Sequence, residues 1–158
     1  MTLDHILQSS NNKLAGAISI KEVASVEELA QAQQIRVQVL EDEQGFPHDV
    51  NIDGLDSSAI HVLMLDDNVP VATARLTVSA ERAGKIARIA VLPSHRGRGL
   101  GKRLIRRLES LARRKGLHAL YVEPHAHLEP FFRRLGYNKV RGSVQLGEYN
   151  LIRVMKKM

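Results

Sequence analysis

The stretch Arg88-Ile-Ala-Val-Leu-Pro-Ser-His-Arg-Gly-Arg-Gly-Leu-Gly101 decides how the rest of the chain is read. Its first half, with Lys85-Ile-Ala ahead of it, is an apolar run of strand character that stops at Pro93. Its second half is a glycine-rich turn. From Leu100 on, Leu104, Ile105, Leu108, Leu111 and Ala112 recur at helical spacing, while Lys102, Arg103, Arg106, Arg107, Arg113 and Arg114 fall opposite. A strand that turns tightly into a helix N-terminus aims unpaired backbone N–H groups and the positive end of the helix dipole at one spot, which favours phosphate. Gly97, Gly99 and Gly101 allow the backbone to bend and to approach such a group, and Arg96, Arg98 and Lys102 add charge beside it. The turn is no Walker loop, since no Gly-Lys-Ser/Thr follows. It is no dinucleotide fingerprint either, since the spacing differs. A glycine-rich turn that merely starts a helix is the simpler alternative.

Outward from this stretch the chain reads as alternating elements. Ala17–Val23 is a first strand, and Ser25-Val-Glu-Glu28 has capping-box spacing ahead of a helix that runs to about Leu40. Glu41–Ser58, with Gly, Pro, Asn and six acids, reads as a loop or a short irregular turn. His61–Leu65 and Val69–Val78 flank Asp66-Asp67-Asn68 as a hairpin, and Glu81–Gly84 is a turn before the third strand, Lys85–Leu92. Gly116 closes the long helix. Ala119–Glu123 is a short strand, Pro124–Leu135 contains a further helix closed by Gly136, and Tyr137–Ser143 with Glu148–Met155 can supply two last strands. This order predicts an α/β or α+β fold with a mixed sheet, one domain over residues 17–158 and a flexible arm over residues 1–16.

Composition narrows the chemistry. In 158 residues with 44% hydrophobic content there is room for one real core. The absence of cysteine removes disulfides, thiolate metal sites and a cysteine nucleophile. No apolar run approaches the roughly 18 to 20 residues of a membrane span and no secretory signal is evident, so a cytoplasmic protein with no membrane partner is expected. Residues 1–94 hold 7 basic and 13 acidic side chains, whereas residues 95–158 hold 16 and 4. The basic half fits either a nucleic-acid surface or a pocket for a small polyanion, or is a solvated helix face. Aromatic residues are only 4% and no base-stacking motif is present, so nucleic acid is not expected as a partner.

Arg96-x-x-Gly99-x-Gly101 after Ile89-Ala-Val-Leu-Pro93 resembles the acyl-CoA-binding motif of the Gcn5-related N-acetyltransferases (GNAT), and Phe131-Phe-Arg-Arg-Leu-Gly-Tyr137 resembles their late helix. Arg36-x-x-Val39-Leu-Glu-Asp-Glu-Gln-Gly45-Phe-Pro47, Asp53, Asp56, His61 and Pro70-Val-Ala-Thr-Ala-Arg-Leu76 are similar to a bacterial subgroup of small GNAT proteins. The resemblance covers about residues 18–157. It implies a mixed, mostly antiparallel sheet of six to seven strands with about four helices and a splayed strand pair. In that gap pantetheine would bond to the backbone of Ile89, Ala90 and Val91, and the pyrophosphate would sit on Arg96, Gly97, Arg98, Gly99, Leu100, Gly101 and Lys102. Arg103 and Arg106 are candidates for the 3′-phosphate or simply part of a solvated face. The implied cosubstrate is acetyl-CoA or another acyl-CoA, with no metal. The implied reaction is direct acetyl transfer to a primary amine of a small molecule or peptide. A binding or regulatory protein without turnover is the alternative, and a homodimer stays open.

Three departures bear on mechanism. The tyrosine that protonates the leaving thiolate in the common pattern aligns with Phe132, and the usual Asn or Gln after the preceding strand aligns with His125. Lys85–Leu92 holds no acid to serve as base. An amine must lose a proton to attack a thioester, and Glu43, His61, Glu123 and Glu148 are the candidate bases, Glu43 first; each is also an ordinary polar side chain. Tyr121, Tyr137 and Tyr149 are candidate acids, the first two more naturally packing residues. His125-x-His127 has two candidate ligands and no third, so no metal is expected. The acids Glu41, Asp42, Glu43, Asp49, Asp53 and Asp56 predict an anionic rim and hence a cationic acceptor.

Overall fold

The computed structural model describes residues 17–146 and 148–158, so the arm expected over residues 1–16 lies outside the described residues. Strands β1 (Ile18–Glu22), β2 (Ile60–Asp66), β3 (Val69–Val78), β4 (Ala83–Val91), β5 (Ala119–Val122), β6 (Asn138–Leu146) and β7 (Tyr149–Lys157) form one sheet. Its order is β1-β2-β3-β4-β5-β7-β6, antiparallel except for the β4–β5 pair. The β2–β3 hairpin turns at Asp67 and Asn68, both at positive φ (50° and 66°), a backbone shape whose twist matches that of the strands it joins. The mixed, mostly antiparallel seven-stranded sheet with four helices agrees with the expectation from sequence.

Helix α1 (Val26–Arg36) begins where Ser25 Oγ accepts the Glu28 N–H and the Glu28 carboxylate accepts the Ala24 N–H. It does not end near Leu40. A wider, π-type helical segment, Val37–Glu43, continues it, with the Gln44 N–H reaching back five residues to the Val39 carbonyl. The segment expected to be a loop is thus largely structured: after this wide turn come α2 (His48–Asn51) and a 3₁₀ turn, Asp56–Ser58. Polar residues and glycine mislead there because Arg36 and Asn51 satisfy the segment internally. α3 (Leu100–Arg114) buries the apolar stripe read from sequence, and Gly116 follows at φ 68°. α4 (Glu129–Arg134) lies within the expected Pro124–Leu135 and is preceded by a 3₁₀ turn, Ala126–Leu128.

The helices cover both faces of the sheet. α1 and the wide turn pack Ala32, Ile35, Val39 and Leu40 on Leu63 and Ala90. α3 and α4 pack Leu104, Leu108 and Phe132 with Val62, Met64, Ala74, Leu76 and Ile86. β3 alternates as expected, but the Thr73 and Arg75 face is buried too, under α1. Gly84 is a strand residue and not a turn: β4 begins at Ala83, and a Cβ at Gly84 would lie 2.7–2.9 Å from Leu120, Leu76 and Leu117. Among the described residues no helix is long and apolar enough to cross a membrane.

Two irregularities in β4 free one of its edges and strain its backbone. β4 pairs with β5 only from Ala83 to Ile86, after which β5 ends and the chain follows β7 through an Ile152 N–H to Pro124 carbonyl bond. The edge of β4 beyond Ile86 is therefore open. Within the β3–β4 ladder, Thr73 opposes Ala90 and Arg75 opposes Ala87, so the single residue Ala74 faces both Arg88 and Ile89. This bulge holds Arg88 at φ 54°, a left-handed conformation rare for a side chain of that size.

Candidate active site

Backbone geometry builds the turn after β4. Pro93–His95 form a 3₁₀ turn, Arg96 is extended, and Gly97 and Gly99 take φ of 77° and 72°. Gly99 is the N-cap of α3 and supplies no side-chain bond, so the first N–H groups of the helix have no capping side chain. A Cβ at Gly97, Gly99 or Gly101 would meet nothing within 4 Å, so the glycines line an open cradle and do not relieve internal crowding. This is the kind of cradle a pyrophosphate needs. His95 fastens the turn to β2: its Nε2 lies 2.7 Å from Asp66 Oδ2 and its Nδ1 2.7 Å from Ser94 Oγ.

The basic side chains around the cradle are not equivalent. Arg98, Lys102 and Arg103 are exposed. Arg96 is bent back, donating from Nη1 and Nη2 to Glu43 at 2.6 and 2.7 Å and from Nε to the Val91 carbonyl at 3.0 Å. Arg106 is held by buried Glu109 at 2.7 Å, which also receives Lys156 Nζ and the Tyr137 hydroxyl. Burial and the Glu109 charge raise the Tyr137 phenol above its ordinary value, so Tyr137 is a packing residue and holds its proton. Glu109 is not legible from sequence, because one acid on a basic helix reads as a surface residue.

Where β4 and β5 part, a cavity of about 260 Å³ opens. Ile89, Glu123, His125 and Phe132 line it, together with Arg88, Lys85 and apolar side chains that include Leu40, Phe46 and Leu151. Ala90 and Val91 lie further along β4, opposite Thr73 and Ala72 of β3. Phe132 is buried, with its ring edge-on to Phe131 and Tyr137. Glu43, His61 and Tyr121 are not part of the lining.

The candidate bases are thereby sorted. Glu43 is gripped by Arg96, which holds its carboxyl below the ordinary range. His61 is buried, donating from Nε2–H to the Asp56 carbonyl at 2.9 Å, and burial lowers its imidazole toward the neutral form. Glu123 lies on the cavity, but Lys85 Nζ and Arg153 Nη2 engage it at 2.6 and 2.9 Å. Burial alone would raise its carboxyl; these two cations outweigh burial and lower it. Glu148 is exposed at the turn before β7. Tyr149 donates to the Gln44 carbonyl at 2.7 Å and packs on Phe46 and His125. Of the titratable groups that line the cavity, His125 is the one with no ion pair among the described residues.

Of the six acids expected to form an anionic rim, four are engaged by other side chains, while Asp42 and Asp49 are exposed. Glu41 binds Asn51 and His48, Glu43 binds Arg96, Asp53 binds Arg75 and Arg88, and Asp56 binds Arg36 and Arg75. Residues scattered from position 36 to 88 meet in one cluster here, as alternation alone could not reveal. Burial raises the Asp56 carboxyl, yet hydrogen bonds from Arg36, Gln33 and Arg75 hold it down at about 2. Hydrogen bonds from Arg75 take Asp53 lower still. In the sequence Arg88 reads only as part of an apolar strand; the signal is a lone cation inside that run.

Comparisons with known proteins agree with this geometry. The model of the Acetyltransferase (GNAT) family matches residues 24–137. Uncharacterized N-acetyltransferase YjcF of Bacillus subtilis is 32% identical over 111 residues, covering 70% of this chain and 79% of that one. An acyl-CoA N-acyltransferase from Pseudomonas aeruginosa superposes with a TM-score of 0.80 at 26% identity, over 88% of this chain and 99% of the other. Escherichia coli ElaA has the same fold, with a TM-score of 0.78 at 24% identity over 88% and 99% of the two chains.

Proposed function

The chain belongs to the GNAT acetyltransferase family, and from that premise we propose that it moves an acetyl group from acetyl-CoA directly to the amine of a small molecule or peptide. The observation that carries this reading is the open edge of β4 beyond Ile86, which leads on one side to the uncapped start of α3 and on the other to the cavity. Ile89, Ala90 and Val91 would bond the pantetheine arm as an added strand, and Gly97–Lys102 would take the pyrophosphate. The thioester supplies the activated acyl group. The amine lone pair attacks its carbonyl carbon, the C–N bond forms, the C–S bond breaks, and coenzyme A leaves as a thiolate. The amine's proton goes to His125 or to water. Holding both reactants in one gap supplies most of the acceleration.

Phe132 supports a second reading, an acyl-CoA-binding protein without turnover, because a phenyl ring donates no proton to the thiolate. A thiol of pKa near 8.5 leaves tolerably well without an acid, and this favours the enzyme. The test is a melting scan with acetyl-CoA followed by thiol release over an amine panel. Ligand at about 100 times Kd adds about 2.7 kcal/mol, a shift of several degrees. Phe132→Tyr raises kcat by about tenfold or less and leaves acetyl-CoA affinity alone. A large melting shift with no thiol release from any amine, in wild type and Phe132→Tyr alike, selects the binding protein.

A further inference from the structure

Arg88 is the residue whose environment the proposed reaction does not yet explain. The β4 bulge holds it in a strained left-handed conformation, at the point where β4 leaves β5. Its side chain is mostly buried, 15% exposed, with the guanidinium against carbonyls of α2. Nε donates to the Asn51 carbonyl at 3.3 Å, and Nη2 donates to the Val50 carbonyl at 2.6 Å and to Asp53 at 3.1 Å. Nη1 makes no hydrogen bond among the described residues, and it is not sealed from solvent. Val50, Asn51 and Arg88 all line the cavity.

The charges around Arg88 do not balance. Three guanidinium groups, Arg36, Arg75 and Arg88, share two carboxylates, Asp53 and Asp56. His61 is held toward neutrality by burial, and Glu41, the next acid, is hydrogen-bonded by Asn51 and His48 and acts on Arg36 through its charge, with no ion pair to Arg88. Arg36 and Arg75 are almost fully buried and point into the cluster, so Arg88 is the member through which the excess positive charge reaches the cavity. Burial and the nearby Arg75 lower the Arg88 guanidinium below its ordinary value, as expected of a cation that lacks full compensation. Beside it, Lys85 and Arg153 share the single carboxylate of Glu123. Apart from Gln44, Asn51 and His125, the rest of the lining is apolar, with Leu40, Phe46 and Leu151 among it.

We infer that the acceptor is an amine that also carries a carboxylate on an apolar body, an apolar amino acid or a close relative, with its carboxylate read by Arg88 Nη1. This inference rests on the N-acyltransfer reading and specifies its acceptor. A cation that shares its one carboxylate with Arg75 and has Nη1 unbonded matches a ligand carboxylate, and a charge-assisted hydrogen bond in a half-buried site discriminates strongly against an analogue that leaves the donor unpaired. A cationic body would meet Arg88 and Lys85 and is disfavoured.

The experiment compares matched acceptors by thiol release from acetyl-CoA. The pairs are L-leucine with 3-methylbutylamine, L-methionine with 3-methylthiopropylamine, and L-phenylalanine with 2-phenylethylamine, each joined by the amino acid amide. The expected result is a kcat/KM at least tenfold higher for the acids, and an acid-to-amine ratio that falls at least tenfold in Arg88→Gln. A binding measurement independent of turnover and of the variant's folding accompanies it: N-acetyl-L-leucine against N-acetyl-3-methylbutylamine, titrated into the wild-type chain with coenzyme A present. The acid is expected to bind at least tenfold more tightly. Amines or amides used as well as the acids, equal affinity of the two N-acetyl compounds, or an unchanged ratio in Arg88→Gln overturns the inference while leaving acyl transfer standing. Failure of every amine together with no binding of either N-acetyl compound overturns both.

Discussion

Asp56 concentrates the energetics of the Arg36–Arg75–Arg88 cluster in one carboxylate, with Arg36 Nη1 at 2.8 Å, Arg75 Nη1 at 3.1 Å and Gln33 Nε2 at 3.0 Å. Its folded value of about 2 lies below the ordinary 3.8. A lowered carboxyl stabilises the fold above its unfolded value, and that contribution disappears as pH falls from about 4 through about 2. Its size is about 2 kcal/mol. Asp56→Asn leaves Arg36 short of a buried counter-charge and destabilises by several kcal/mol, roughly 3 to 5, near neutral pH. The gap between wild type and Asp56→Asn, from urea unfolding, therefore narrows by about 2 kcal/mol between pH 5 and pH 2. A gap that stays constant over that range contradicts an ionised, paired Asp56. None of this is legible at position 56, where an Asp followed by two serines reads as a turn.

Two glycines show how an element gives the same residue type opposite jobs. Gly84 lies in β4 where a Cβ would crowd three leucine methyl carbons at 2.7–2.9 Å, so Gly84→Ala is expected to cost about 1 to 3 kcal/mol and lower Tm by several degrees, with acetyl-CoA affinity little changed. Gly101 lies in the first turn of α3 at an ordinary φ with open space around it. Gly101→Ala should keep or slightly raise Tm, by the roughly 0.5 to 1 kcal/mol helix preference of Ala, while weakening acetyl-CoA at least tenfold because the Cβ stands in the cradle. Calorimetry and ligand titration on both variants check the pair. If Gly101→Ala binds acetyl-CoA normally, the phosphate site lies elsewhere. The sequence reading places Gly101 in its turn because that glycine and its helix are neighbours in the chain. It misreads Gly84, whose crowding comes from leucines 8, 33 and 36 residues away in sequence.

Across the whole molecule, the acidic first half and the basic second half meet at Glu43 and Arg96, 53 residues apart. This pair ties the wide turn after α1 to the phosphate cradle, so the acceptor side and the coenzyme side of the gap are linked before any ligand arrives. Both partners are partly exposed, and salt screens such a pair. Glu43→Gln removes a competitor for the Arg96 guanidinium and a negative charge beside the cradle. It is expected to lower the Kd for acetyl-CoA severalfold at low salt, an effect that fades at high salt, while the KM for the amine stays within about twofold. A raised amine KM with unchanged acetyl-CoA affinity would return Glu43 to the acceptor side.

Legible from the chain alone are the local features: the strand into a glycine-rich turn into a helix, the apolar stripe of α3, the β2–β3 hairpin and, through the motifs these carry, the GNAT family. Each depends on residues within a few positions of one another, where backbone torsions and side-chain periodicity are set by neighbours in the chain. Which charges are free is settled by the tertiary fold. Arg36, Asp53, Asp56, Arg75 and Arg88 belong to separate segments, and the sheet register together with the packing of α1 brings them within hydrogen-bond distance. Two of the acids that look like a rim in the sequence, Asp53 and Asp56, are paired there, and a cation hidden in an apolar strand faces the cavity, because ion pairing depends on distance in space and the chain does not encode that distance one residue at a time.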